Sequence, residues 1–177
     1  RACSPSIGLV EKTNAYCRTG EHRIEGLMVA CGPAIRTGEL ERAVSIPLLH
    51  IADATGDALR NAGIDSIGLL GTRFTMEQPF YCERLRERHG LHVVVPDADD
   101  RDTVHRVIYE ELVHGRAVDA SRVAYLEIVE RMRQRGAQAV VLGCTEIGLL
   151  IGPGTLALPC FDTTVLHSAS AVDWALS

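Results

Sequence analysis

The constraint that most narrows the fold is a repeating alternation of short apolar runs with helical patterns. Leu27–Ala30, Pro47–Ile51, Ile67–Leu70, His92–Val95 and Ala139–Leu142 are leucine-rich or β-branched runs of strand length. Their lack of polar alternation is the mark of strands covered on both faces. Between them, Val104, Val107, Ile108 and Leu112 fall on one helix face, as do Ala124, Ile128 and Met132. Strand–helix–strand alternation of this kind predicts an α/β fold, a doubly wound parallel sheet with helices on both sides. In such sheets ligands bind at the carboxyl ends of the strands. No repeat, low-complexity tract, P-loop or Gly-x-Gly-x-x-Gly is found in the sequence.

Composition limits the function classes. A chain of 177 residues with 46% hydrophobic residues can build a substantial core. A net charge of -5 with dispersed arginines argues against nucleic-acid binding. No apolar run approaches the ~20 residues that span a bilayer, and no secretory signal is visible, so no membrane partner is expected. The six cysteines, Cys3, Cys17, Cys31, Cys82, Cys144 and Cys160, include no Cys-x-x-Cys pair. Neither a zinc site nor a disulfide framework is indicated, and a reducing cytoplasm fits best. His50 and Asp53 are one helical turn apart but lack further ligands, so no metal is expected there.

The apolar run Ala139–Leu142 leads directly into Gly143-Cys144-Thr145-Glu146, which places a cysteine where a helix N-terminus is expected. There the dipole and unpaired N–H groups would favour the thiolate. Glu146 acts in two directions: its charge opposes thiolate formation, yet a carboxylate beside a thiol can hold or relay the proton. Upstream, Gly71-Thr-Arg-Phe-Thr-Met76 follows the run Ser66–Leu70, and Thr75-Met-Glu-Gln78 reads as a capping box. A strand–turn–helix start is a ready anion site. Thr72, Arg73, Thr75 and Thr145 are therefore the candidate substrate-binding residues, although Thr72 and Thr75 also read as simple caps. The acids from Asp97 to Asp102 read as a solvated helix entry, and Cys82 and Cys160 as core or surface thiols. His167 reads as either cleft-facing or exposed.

Gly143-Cys144-Thr145-Glu146 resembles the second catalytic-cysteine motif of the aspartate/glutamate racemases. Ile46-Pro-Leu-Leu-His-Ile-Ala-Asp53, Gly68-Leu-Leu-Gly-Thr-Arg-Phe-Thr-Met-Glu-Gln78, Ile108-Tyr-Glu-Glu-Leu112 and Phe161-Asp-Thr-Thr164 are similar, in order, to the family's other blocks. The resemblance implies a cofactor-independent racemase of aspartate, glutamate or a related amino acid. Two thiols on opposite faces of the substrate α-carbon would exchange its proton, with no metal or pyridoxal phosphate, and related enzymes suggest a homodimer. Cys144 would be one thiol, supported by Glu146.

The family's first catalytic residue, Cys or Thr, is followed by Asn-Thr-x-His, whereas this chain has Cys31-Gly-Pro-Ala-Ile-Arg36. An ungapped register from Glu39 puts Ala30 in the catalytic position, and a one-residue adjustment restores Cys31, which is taken as the second thiol. The family also has two pseudo-symmetric domains. On that pattern residues 54–156 form a complete flavodoxin-like second domain, while residues 1–53 and 157–177 form a remnant of the first. Nothing in residues 1–20 resembles the family's opening loop and the first residue is Arg1, so the chain reads as a fragment or as one with a short first domain. Two other readings stay open: a degenerate relative that binds an amino acid without turnover, and a cysteine-nucleophile hydrolase.

Overall fold

Among the described residues a four-stranded, fully parallel sheet organises the chain, in the order β2-β1-β3-β4. The computed structural model describes residues 48–176, all but Leu48 within the unit Leu49–Ser177. Its elements are α1 (Ile51–Asn61), β1 (Ser66–Leu70), α2 (Arg73–Glu77), α3 (Pro79–His89), β2 (His92–Val94), α4 (Ala98–Glu110), α5 (Asp119–Gln134), β3 (Ala139–Leu142), β4 (Cys160–Asp162) and α6 (Thr163–Leu176), with short 3-10 turns at Leu112–His114 and Thr145–Leu149.

The sheet is covered on both faces, as the unbroken apolar strands predict. Ile67 and Leu69 of β1, Val93 of β2, and Ala139 and Val141 of β3 pack with Leu59, Tyr81 and Leu85 of α1 and α3. The alternate positions Leu70, Val94, Val140 and Leu142 pack with Val104, Val107 and Ile108 of α4 and with Tyr125, Ile128 and Met132 of α5. Gly68 makes room in this second layer, since a methyl there would lie 2.3 Å from Met132 Cε. The fold is thus the flavodoxin-like α/β arrangement. Of the predicted faces, Val104, Val107 and Ile108 on α4, Leu112 in the following 3-10 turn, and Ile128 and Met132 on α5 are buried, while Ala124 is half-buried.

The acids from Asp97 to Asp102 do open a helix, with Asp97 at the N-cap of α4 and Asp99 and Asp100 in its first turn. Gly90, left-handed at φ 65°, closes α3 and turns the chain into β2.

Two local expectations are corrected. The run Pro47–Ile51 is not a strand over its described residues: His50 accepts from the Ala52 amide through Nδ1 at 3.1 Å and caps α1, which starts at Ile51. Thr75-Met-Glu-Gln78 is not a capping box either. Thr72 is the N-cap of α2, and Gln78 precedes Pro79 at the start of α3 without a side-chain cap. The closing segment, expected to return to the first domain, supplies β4, whose Cys160, Phe161 and Asp162 pair with Val140, Val141 and Leu142 of β3. Its helix α6 packs on α1. The remaining readings on residues 1–47, Cys31 among them, lie outside the described residues.

Candidate active site

β1 and β3 are the inner strands, paired through Leu70 and Leu142, and their carboxyl ends carry the two candidate turns side by side. Gly143 donates its amide to the Leu70 carbonyl at 2.7 Å, which ties the two ends together. A methyl on Gly143 would lie 3.0 Å from both the Leu70 carbonyl oxygen and Thr75 Cγ2. A methyl on Gly71 would lie 2.9 Å from Thr75 Cβ. Both glycines are therefore required by close approach, and Thr75 is the side chain wedged between the two turns. The Thr75 amide donates to Thr72 Oγ1 at 3.4 Å, and the two hydroxyls stand 3.3 Å apart. Cys82 donates weakly to the Thr75 and Met76 carbonyls at 3.8 and 3.7 Å, backing this turn from the core.

Cys144 follows Gly143 directly. It is half-buried against the core layer that contains Tyr125, and its Sγ donates to Glu146 Oε2 at 2.9 Å. Burial pushes the Cys144 thiol up to about 11, and the hydrogen bond and charge of Glu146 push in the same direction. Backbone N–H groups of Thr145 and Glu146 oppose this without overturning it. The Glu146 carboxyl is lowered, first by the thiol and then by the Thr145 hydroxyl. Both shifts place the shared proton on sulfur.

The expectation of a thiolate at a helix N-terminus is corrected accordingly. Thr145–Leu149 is a five-residue 3-10 turn, whose dipole cannot offset burial and an adjacent carboxylate. Cys144 rests as a thiol.

The remaining candidates divide. Thr72, Thr75, Thr145 and Glu146 are brought to the same pair of strand ends as Cys144. The Arg73 side chain turns away to Asp102 on α4 at 2.5 Å, while its amide donates to His105 Nδ1 at 3.2 Å. His167 is half-buried on α6, and its Nδ1 has no hydrogen-bond partner among the described residues. His50 caps α1, and Asp53 is held by Arg84 at 2.8 and 2.6 Å and by His89 at 3.1 Å. Among the described residues no group of His, Cys, Asp and Glu is arranged to hold a metal ion, and no helix is long and apolar enough to cross a membrane.

Sequence reasoning passed over Thr163. It is buried at 3% exposure at the start of α6, and its Oγ1 donates to the Leu142 carbonyl at 2.9 Å. Its only signal was its place in the block Phe161–Thr164.

Fold and site together define a class: a flavodoxin-like α/β protein with a thiol–carboxylate pair at the carboxyl ends of its inner strands. The chain belongs to the Asp/Glu/hydantoin racemase family, whose sequence model matches residues 5–171. It is similar to a candidate Asp/Glu racemase from Yersinia pestis, with 49% identity, a TM-score of 0.75, and coverage of 78% of this chain and 60% of that one. It is also similar to an aspartate racemase homologue from Pyrococcus horikoshii, with 31% identity, a TM-score of 0.72, and coverage of 78% and 61%. A glutamate racemase from Glaesserella parasuis is 27% identical over 148 residues, 82% of this chain and 52% of the relative. The chain thus spans about half the length of that glutamate racemase and about three-fifths of the two solved structures.

Proposed function

We propose that this chain contributes to a cofactor-independent racemase of aspartate, glutamate or a related amino acid, with Cys144 as one of two acid–base thiols. The observation that carries the reading is the Cys144–Glu146 hydrogen bond of 2.9 Å at the end of β3, in a member of this racemase family. Cys31 is the proposed opposite thiol, and residues 54–156 the half-site that presents Cys144.

The chemistry follows from where the proton rests. Cys144 holds its proton, so in one direction it delivers that proton from Sγ to the carbanion at the α-carbon and becomes a thiolate. In the other direction Glu146 takes the thiol proton, the thiolate removes the α-proton, and the second thiol protonates the carbanion on the far face. The proton held by Glu146 is then exchanged through water to that second sulfur, restoring both thiols. A thiol near 11 is ionised in only ~10⁻⁴ of molecules at pH 7. That thiolate is a correspondingly stronger base toward a very weak carbon acid, which is the advantage of a buried thiol with a carboxylate relay. Hydrogen-bond donors around the substrate carboxylate must stabilise the carbanion, each contributing on the order of 3 kcal/mol. In this reading Thr72, Thr75 and Thr145 supply donors for that role, with the Thr75 amide already given to Thr72 Oγ1. The Arg73 side chain, paired with Asp102, serves only if substrate draws it from that partner.

The test is proton exchange in D2O, followed by NMR of L-aspartate and L-glutamate. The protein should wash deuterium into the α-position, and Cys144→Ser should abolish this while melting normally. Normal exchange in the serine variant would remove Cys144 from the mechanism. Binding without exchange in the unmutated chain would leave a non-catalytic amino-acid binder.

A further inference from the structure

We infer that Thr163 is a positioning residue for Cys144, acting through the last carbonyl of β3; this rests on the acid–base role proposed for Cys144. The geometry has three parts. Leu142 and Asp162 are register partners, so β4 ends beside the point where β3 becomes the Gly143–Cys144 turn. Asp162 Oδ1 then accepts from the amides of Thr164 and Val165 at 2.8 and 3.2 Å, fixing the first turn of α6. That turn aims Thr163 back at the sheet, where Oγ1 donates to the Leu142 carbonyl at 2.9 Å in a site closed to solvent.

The consequence is a clamp from two sides. On the β1 side, the Gly143 amide is bonded to the Leu70 carbonyl, and a methyl on Gly143 would lie 3.0 Å from Thr75 Cγ2. On the β4 side, Thr163 holds the carbonyl of that same Leu142–Gly143 peptide. The two residues before Cys144 are thereby fixed through backbone groups on both flanks. The Cys144 side chain itself is bonded to Glu146 and packed against the core layer of α4 and α5. A proton-transfer group is sensitive to displacements of about an ångström, so a loosened peptide at Leu142–Gly143 should reduce turnover without removing any group that touches substrate. A helix-capping threonine with no such role would affect only stability.

The experiment compares Thr163→Val, which keeps the shape and removes the hydroxyl, with Thr163→Ser, which restores it. In the D2O exchange assay the valine variant should lose about 10- to 100-fold in kcat with KM within about twofold, and the serine variant should recover most of it. A second readout is independent of the racemase reading: the pH profile of Cys144 alkylation by iodoacetamide, followed by peptide mass spectrometry. The valine variant should shift the midpoint below that of the unmutated chain, because a displaced thiol loses its bond to Glu146, and the serine variant should not. A valine variant that melts lower but keeps both kcat and the alkylation midpoint overturns the inference and leaves Thr163 a purely structural tie between α6 and β3. If the unmutated chain shows no exchange, the racemase reading fails and the alkylation midpoint alone decides whether Thr163 positions Cys144.

Discussion

A thiol bonded to a carboxylate in a half-buried site is harder to ionise than a free one, because both burial and the neighbouring charge disfavour the thiolate. For Cys144 the result is a proton held on sulfur up to about pH 11. Alkylation of Cys144 should therefore rise with pH to a midpoint near 11, well above the ordinary thiol range. Glu146→Gln removes the negative charge and should move that midpoint down, while slowing exchange by roughly 10²-fold or more if the carboxylate relays the proton. A lower midpoint with unchanged exchange would leave Glu146 a purely electrostatic neighbour. The identity of this pair was legible in Gly143-Cys144-Thr145-Glu146, since a carboxylate two residues from a thiol can reach it. The direction of the shift was not legible, because burial and the length of the following turn belong to the folded chain.

At the scale of elements, the two inner strand ends act as one unit: Gly71 and Gly143 leave space that Thr75 fills, and Thr72 caps the short helix α2 that carries it. Thr72→Val should cost about 1 kcal/mol as a lost N-cap. If the hydroxyls also face substrate, Thr72→Val and Thr75→Val should lower kcat/KM by more than tenfold, well beyond their effect on a melt. Lower melts with intact kinetics would make both residues caps only. Three of the four described strands were readable as apolar runs, since β3 has the bounds of its run and β1 and β2 differ from theirs by a residue, whereas β4 matches none of those runs. A run such as Pro47–Ile51 was not, because a short apolar stretch has no period to separate a strand from a helix entry, and here His50 decides it by capping. Thr163 was missed for a related reason. Nothing local distinguishes a threonine that opens a helix from one that reaches back to the neighbouring strand.

Across the whole described unit, the sheet separates two core layers, and Cys144 packs on one of them. Cys144 and Ile147 belong to the layer of α4 and α5, whereas α1 and α3 close the opposite face. That second layer contains a charged joint: Asp53 on α1 receives two bonds from Arg84 and one from His89 on α3, and Arg84 is 3% exposed. Burial alone would raise the Asp53 carboxyl, but the bonds from Arg84 and His89 outweigh it and hold it at about 2, against an ordinary 3.8. A depressed carboxyl contributes stability that is complete above its unfolded value and lost as the pH falls through its folded one. Asp53→Asn removes the carboxylate that takes two bonds from buried Arg84, so it should cost about 3 kcal/mol near neutral pH, roughly 10 °C in Tm. The gap between the two proteins should stay constant down to about pH 4 and shrink toward pH 2, where the unmutated carboxyl also protonates. Urea midpoints measured across that range provide the check, because the difference cancels the other carboxylates. A gap independent of pH would mean that packing around Asp53, rather than its charge, joins α1 to α3. Since the joint lies across the sheet from Cys144, the same substitution should leave the alkylation midpoint of the folded protein unmoved.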